Sequence, residues 1–524
     1  MKKLTLLRLF LKTATMMVLP GSINAYAAPD DLFETDSGSG IVYKFSPAGT
    51  KTMFASGFNN PAGLAFDASG NLFVAEVNTG TIYKVTRTGT KTIFASSLAG
   101  PGGVAFDAAG NLYEGDTAGG TITKITPAGA KSTFASGLNG PGGLAVDSSG
   151  NVFEPDQFSG LIYKFTPAGT RTTFASLLQR PIALAFDAAG NLFESDRNSG
   201  NIFKFTPAGM QTTFASGLDH PVGLAFDSSG NLFEADQNTA SINKFTPGGT
   251  KITFASALGG PTGLAVQPGQ LTNISTRLEV LTGNSVLIAG FIISGTDNKQ
   301  VLLRALGPTL TQLGVSGALA DTTIELHNGA GTIIATNDNW KDTQQAAIAA
   351  TGKAPPNDLE SAILITLAPG NYSAVVRGKN DITGVALAEV YDLNQAVNAS
   401  LINISTRGFV ETGANVMIGG LISSSGNTKV LVRTLGPTLA QFGVPSVLGD
   451  PTLELHDANG ALIASNDNWQ DTQKAAIQAT GKAPPNANEP AIVITKPAGG
   501  GTAIVRGKNN TTGNALVEVY VLPP

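Results

Sequence analysis

Six tripeptides carry the residue types in this sequence that could do chemistry at a shared site. "FNN", "LAG", "LNG", "LQR", "LDH" and "LGG" stand immediately before Pro61, Pro101, Pro141, Pro181, Pro221 and Pro261, at an unbroken spacing of 40. The side chains they offer are Asn59, Asn60, Asn139, Gln179, Arg180, Asp219 and His220. Arg180 could clamp a carboxylate with two parallel N–H groups, and His220 could exchange a proton near neutral pH. Nucleophilic catalysis needs a nucleophile, a base and an orienting acid in mutual reach, and one histidine on a variable loop does not supply that set. Ligand binding is the chemistry these residues suit; ordinary variation of solvated loops is the alternative.

The elements that must position them follow from the repeat. Each unit of 40 reads as four short strands, for example "GLAFD", "NLFVAE", "TIYKVT" and "KTIFAS", separated by "DASGN", "NTG" and "TRTGT" turns. One such sheet cannot bury both faces, and packing the copies radially solves this. Residues 31–60 contain the last three strands of a unit and residues 261–266 a first strand, so the two ends complete a sixth sheet and close a ring. An open stack would need polar capping repeats instead. The first strand of each unit, as in Gly63-Leu64-Ala65-Phe66, alternates Gly or Ala with larger apolars, as a crowded axis requires.

Two acidic columns recur. Asp36, Glu76, Asp116, Asp156, Asp196 and Asp236 form a ring that could hold cations; because every unit has one, the structural reading is preferred, each acid bonding the backbone N–H groups of its own turn. Asp67, Asp107, Asp147, Asp187 and Asp227 open the "DxxGN" hairpins in the same way.

With "PxGLAFDxxGNLF" and "IxKFTPAG" in view, residues 31–268 resemble the NHL-repeat six-bladed β-propellers, and the same broad shape includes the gluconolactonase and streptogramin-lyase groups. The resemblance implies that the tripeptide loops and acidic turns share one face around the channel mouth. Lactonase-like relatives hold a divalent metal with acidic and amide side chains that differ between blades. No matching set occurs here, so none of those ligands is carried over.

After Gln267 a second duplication begins. "NISTR" at Asn273 recurs at Asn403, and "NDNWKDTQQAAIAATGKAPPN" at Asn337 recurs as "NDNWQDTQKAAIQATGKAPPN" at Asn466. Alternating strands such as "VLLRAL" and "YSAVVRG" predict two β-sandwiches, each with one short helix over about Thr343–Ala350, Asp342 as its N-cap and Gly352 as its stop. The second half of each copy resembles the bacterial pre-peptidase C-terminal β-sandwich, which implies surface, matrix or carbohydrate contact. Asn337, Asp338, Asn339 and Asp342, with Asn466, Asp467, Asn468 and Asp471, offer oxygen clusters that would suit calcium, or a hairpin end that bonds its own backbone. Trp340 and Trp469 read as core anchors, with sugar stacking the alternative.

Composition bounds the rest. The chain of 524 residues carries a net charge of −5 without a basic block, which argues against nucleic acid, and it has no cysteine. Residues 1–28 read as an export signal, with Lys2 and Lys3 before an apolar stretch and Ala25-Tyr26-Ala27 at the cleavage position; no later stretch is long and apolar enough to span a bilayer. The expected all-β plan is a signal peptide (1–28), a six-bladed β-propeller (29–269) and two β-sandwiches (270–398 and 399–524). The expected function is a non-catalytic binding protein, secreted, on the cell surface or in the periplasm, with a protein, glycan or small-molecule partner. A metal-dependent lactonase-like hydrolase or a lyase is the alternative.

Overall fold

The computed structural model describes residues 30–283, 285–395, 397–424 and 427–523; the expected export signal lies outside them. Six four-stranded antiparallel sheets form the blades. Blade 1 joins the two ends of the repeat region: Pro261–Val266 pairs with Leu32–Asp36, followed by Ile41–Phe45 and Lys51–Ser56. Blades 2 to 6 each come from one continuous stretch, as in Pro61–Phe66, Leu72–Glu76, Thr81–Val85 and Lys91–Ala95 of blade 2. The second strand of every blade is wholly buried, whereas the fourth is largely exposed.

Phenylalanines tie neighbouring blades. Phe33 lies edge-on to Phe66 of the next blade at 5.2 Å, and Phe73–Phe106, Phe153–Phe186 and Phe193–Phe226 repeat the contact. Each pair adds about 1 kcal/mol to the area it buries. Nearer the start of the inner strands the blades approach closely: a Cβ at Gly63 would stand 2.6 Å from the Gly102 carbonyl oxygen. This is why that column is Gly or Ala.

The two downstream copies form a large antiparallel β unit in which they also pair with each other. Leu271–Val280 pairs on one edge with Gly384–Asp392 of its own copy, and on the other with Met417–Ser423 of the second copy. Ala399–Val410 does the reciprocal, pairing with Gly513–Val521 and with Leu287–Gly295 of the first copy. The equivalent hydroxyls of Thr276 and Thr406 meet at 2.7 Å, on the local two-fold relation between the copies. One hydrophobic core draws residues from both.

The helix is shorter than expected, Gln345–Ala350, and no side chain caps it. Gln344 supplies the reason. Its amide donates to the Leu364 carbonyl at 2.8 Å and accepts from the Leu364 N–H at 2.9 Å, which holds residue 344 out of helical geometry. Asp342 instead accepts from Asn339 Nδ2 at 3.1 Å. The stop is as expected, with Gly352 at φ 67°.

The C-terminal unit sits against the "DxxGN" end of the propeller. The hydroxyls of Ser69 and Ser294 lie 3.0 Å apart, Ser400 donates to the Ser69 carbonyl at 3.2 Å, and Ala108 packs against the cluster around Trp469. The opposite face, where the inner strands begin, carries the tripeptide loops.

Candidate functional site

The repeated acids build this open face rather than leaving it reactive. Asp196 accepts from the backbone N–H groups of Gln179 at 2.7 Å, Arg180 at 3.3 Å and Ser199 at 3.1 Å. Asp116 holds Ala99 and Gly119, Asp156 holds Asn139 and Ser159, and Asp36 holds Gly259 and Ser39. Each acid therefore fastens the incoming loop to its own turn, one step beyond the turn-capping that the sequence suggested. The hairpin aspartates behave as expected: Asp187 accepts from Ala189 N–H at 3.0 Å and Asn191 N–H at 2.8 Å, with Lys204 3.7 Å away.

On that frame the side chains of blades 4 to 6 converge. The Arg180 guanidinium stands 5.4 Å from the ring centroid of Phe158, which is 59% exposed. Arg197 donates to Gln237 Oε1 at 2.8 Å; burial and the nearby Arg180 charge both lower the pKa of Arg197. His220 Nδ1 lies 3.0 Å from Asp219 Oδ1, and Asn238 donates to the same carboxylate at 3.0 Å. Bonds from His220 and Asn238 keep the Asp219 carboxyl below its usual range. Asn59 is apart from this group, accepting from Asn78 Nδ2 at 2.9 Å, and Asn60 reaches Asn78 only at 3.5 Å. Asn139 and Gln179 take part through their backbone amides. Phe158, Arg197, Gln237 and Asn238 were missed in the sequence, although "DQFSG", "DRNSG" and "DQNTA" break the repeat as visibly as the loops do.

A further column went unread: Glu34, Glu114, Glu154, Glu194 and Glu234 sit in the buried second strands, with Val74 in their place in blade 2. The carboxyl groups of Glu34, Glu154 and Glu194 have no hydrogen-bond partner among the described residues. Loss of water pushes Glu34 up to about 8 and Glu154 up to about 9, with the neighbouring Asp36 and Asp156 charges adding to the shift. Burial favours the protonated form of Glu194 in the same direction.

In the C-terminal unit the oxygen clusters are largely occupied. Asn337 Oδ1 accepts from Ala362 N–H at 2.8 Å, its amide donates to the Asn339 carbonyl, and the Lys379 ammonium stands 2.6 Å from Asp338. Asn466, with Ala491 and the Asn468 carbonyl, and Asp467, with Lys508, repeat this arrangement, and Asn468 donates to Asp471. A lysine thus stands where a bound cation would. Among the described residues, no three His, Cys, Asp or Glu side chains form a group able to hold a metal. Trp340 and Trp469 are buried, each donating its indole N–H to a backbone carbonyl at 3.1 Å, as core anchors do.

The fold defines a six-bladed β-propeller joined to a large antiparallel β unit. No protein-family model matches the chain, and no curated protein matches it. Among solved structures it is similar to one of a nidogen/laminin complex, with 20% identity over 45% of this chain and 98% of that one, at a TM-score of 0.42. It is also similar to virginiamycin B lyase from Staphylococcus aureus (14% identity, 47% and 91% covered, TM-score 0.39). A gluconolactonase from Xanthomonas campestris is a third (19% identity, 47% and 91% covered, TM-score 0.37).

Proposed function

We propose that this is an exported, non-catalytic binding protein whose open propeller face engages a protein, glycan or small molecule outside the cytoplasm. One observation carries this reading. The side chains that break the six-fold repeat converge on the open face over blades 4 to 6, while the repeated acids give their oxygens to backbone amides. The Arg180–Phe158 pair is an anchor of the kind found at interface hot spots, where Arg and aromatic side chains bury much area and the guanidinium keeps donors for a partner. The NHL-like repeat and the likeness of the downstream copies to pre-peptidase C-terminal modules agree with a surface or matrix setting.

A photo-crosslinker placed at Phe158 tests it against one at Ser132, on an outer strand. Adducts with an extracellular partner are expected from position 158 and not from 132. Calorimetric titration with Ca²⁺, Mg²⁺, Mn²⁺ and Zn²⁺ is the counter-test: tight one-to-one binding lost in His220→Ala or Asp219→Asn would replace this reading with a metal-dependent hydrolase or lyase.

A further inference from the structure

The other end of the propeller axis holds a cavity of about 940 Å³ between the blades and the second copy of the C-terminal unit. Its propeller wall is mixed: Phe66, Phe106, Phe186 and Phe226 form an apolar patch at the ends of the inner strands, beside the Asp and Ser residues of the hairpins. The C-terminal unit closes it with Asn427, Lys429 and Thr495. Lys429 lies on the strand Thr428–Leu435, opposite Thr495 of Ala491–Lys496. The Asn427 carbonyl anchors this strand to the propeller exit by accepting from Gly269 N–H at 2.9 Å.

The carboxylates around the cavity are already matched. Asp147, Asp187 and Asp227 accept from their own hairpins and face Lys164 at 3.8 Å, Lys204 at 3.7 Å and Lys244 at 3.1 Å. Asp30 accepts from the N–H and hydroxyl of Ser228. Lys429 is different. Among the described residues its ammonium has no hydrogen bond or ion pair, and loss of water lowers its pKa against a partial opposing pull from Asp147. The fully buried Lys299, by contrast, has Asp392 at 2.8 Å. The counterpart of Lys429 in the first copy, which does not line the cavity, is the exposed Gln300. The cation therefore occurs only in the copy that faces the cavity.

Lys429 is half-buried on the cavity wall, so a ligand anion there would meet an ammonium that no protein group already holds, in surroundings partly screened from bulk water. The volume falls in the range of small-molecule pockets, which are apolar with few polar groups fixing orientation. We infer that this cavity is a second binding site, for a small molecule with an apolar body and one anionic group, the anion placed on Lys429 and the body against the phenylalanines. The site is separate from the open face, since an inner strand of six residues puts about 20 Å between the two.

Titration of the mature full chain with decanoate, and with 1-decanol as its neutral match, tests this. Decanoate is expected to bind one to one and at least about 10-fold more tightly than decanol. Lys429→Met should erase the difference, and Ala225→Trp, which fills the cavity, should abolish binding of both, while Arg180→Ala changes neither. Near-UV circular dichroism confirms that each variant is folded; should Ala225→Trp misfold, Lys429→Met decides alone. Equal affinity for the two probes, an unchanged difference in Lys429→Met, or no binding of either probe would overturn the assignment.

Discussion

The two halves of the molecule use duplication in opposite ways. In the propeller each repeat keeps its strands, apart from the blade that joins the two ends, and neighbours meet through side chains such as Phe153 and Phe186. In the C-terminal unit each copy gives one edge of its first strand to the other, so the copies meet through backbone ladders. A ring of six can cover every blade face by packing, and its short outer edges stay exposed. Two copies cannot form a ring, and mutual pairing covers edges that would otherwise remain open.

The largest expected effect breaks this contrast directly. Residues 270–395 made alone would expose both edges that the second copy covers. Light scattering after gel filtration should find a dimer or aggregate and no folded monomer, whereas residues 30–270 should give a monomer with one cooperative melt. A folded monomer of the first copy would show that strand exchange is dispensable.

The pH dependence should also run in opposite directions. The propeller glutamates hold protons in the folded state that the unfolded chain releases above about 4.5. Propeller stability therefore falls as pH rises from about 4.5 to about 8 or 9 and then levels off. In the C-terminal unit, burial pushes Lys496 down to about 8. Its folded state releases a proton that the unfolded chain keeps, so that unit gains stability between about 8 and the ordinary lysine value. Denaturant melts of the propeller at pH 5 and 8.5 read the first effect. Glu154→Gln should lessen the dependence, leaving the share of the other glutamates, and stabilise at pH 8.5 by about 2 kcal/mol. A variant as pH-sensitive as the parent would remove Glu154 as a source.

Within the propeller the two acidic columns can be ranked. Asp196→Ala strands three backbone amides in a buried seam and should cost about 2–3 kcal/mol in urea melts. Asp187→Ala acts on a half-exposed hairpin at the cavity rim and should cost about 1 kcal/mol. Equal losses would mean that loop fastening adds nothing to turn-capping.

The forty-residue period made the ring legible, because Pro61 to Pro261 and the split blade 1 leave no other closure. The period also exposed the acidic columns, since a role served identically in every blade is structural. Strand exchange was not legible. The two "NISTR" strands are the same in sequence, so no local pattern distinguishes pairing within a copy from pairing across copies. The helix start failed because Gln344 bonds a distant strand, a contact that no capping pattern encodes. Half of the open-face residues were read from the loops, and the rest lay in turns whose variation was passed over. Lys429 was visible only as a difference from Gln300, and its meaning required the cavity.

The smallest effect concerns a residue where the propeller departs from its own symmetry. Leu177 has φ 65° and is 97% exposed, at a position where the other blades place Gly57, Ser97, Gly137, Gly217 and Ala257, all at positive φ. A left-handed conformation costs a non-glycine residue about 1–2 kcal/mol, partly offset by the freedom that glycine adds to the unfolded chain. Leu177→Gly should therefore raise stability by about 0.5–1 kcal/mol, read as a higher urea midpoint at constant slope. Leu177 follows the outer strand of the blade that carries Phe158 and Arg180, so a partner on this face would also lose an apolar contact. Higher stability with weaker crosslinking from position 158 would mark Leu177 as part of the binding face. Lower stability would mean that the side chain packs in solution, and the asymmetry of blade 4 would then be structural.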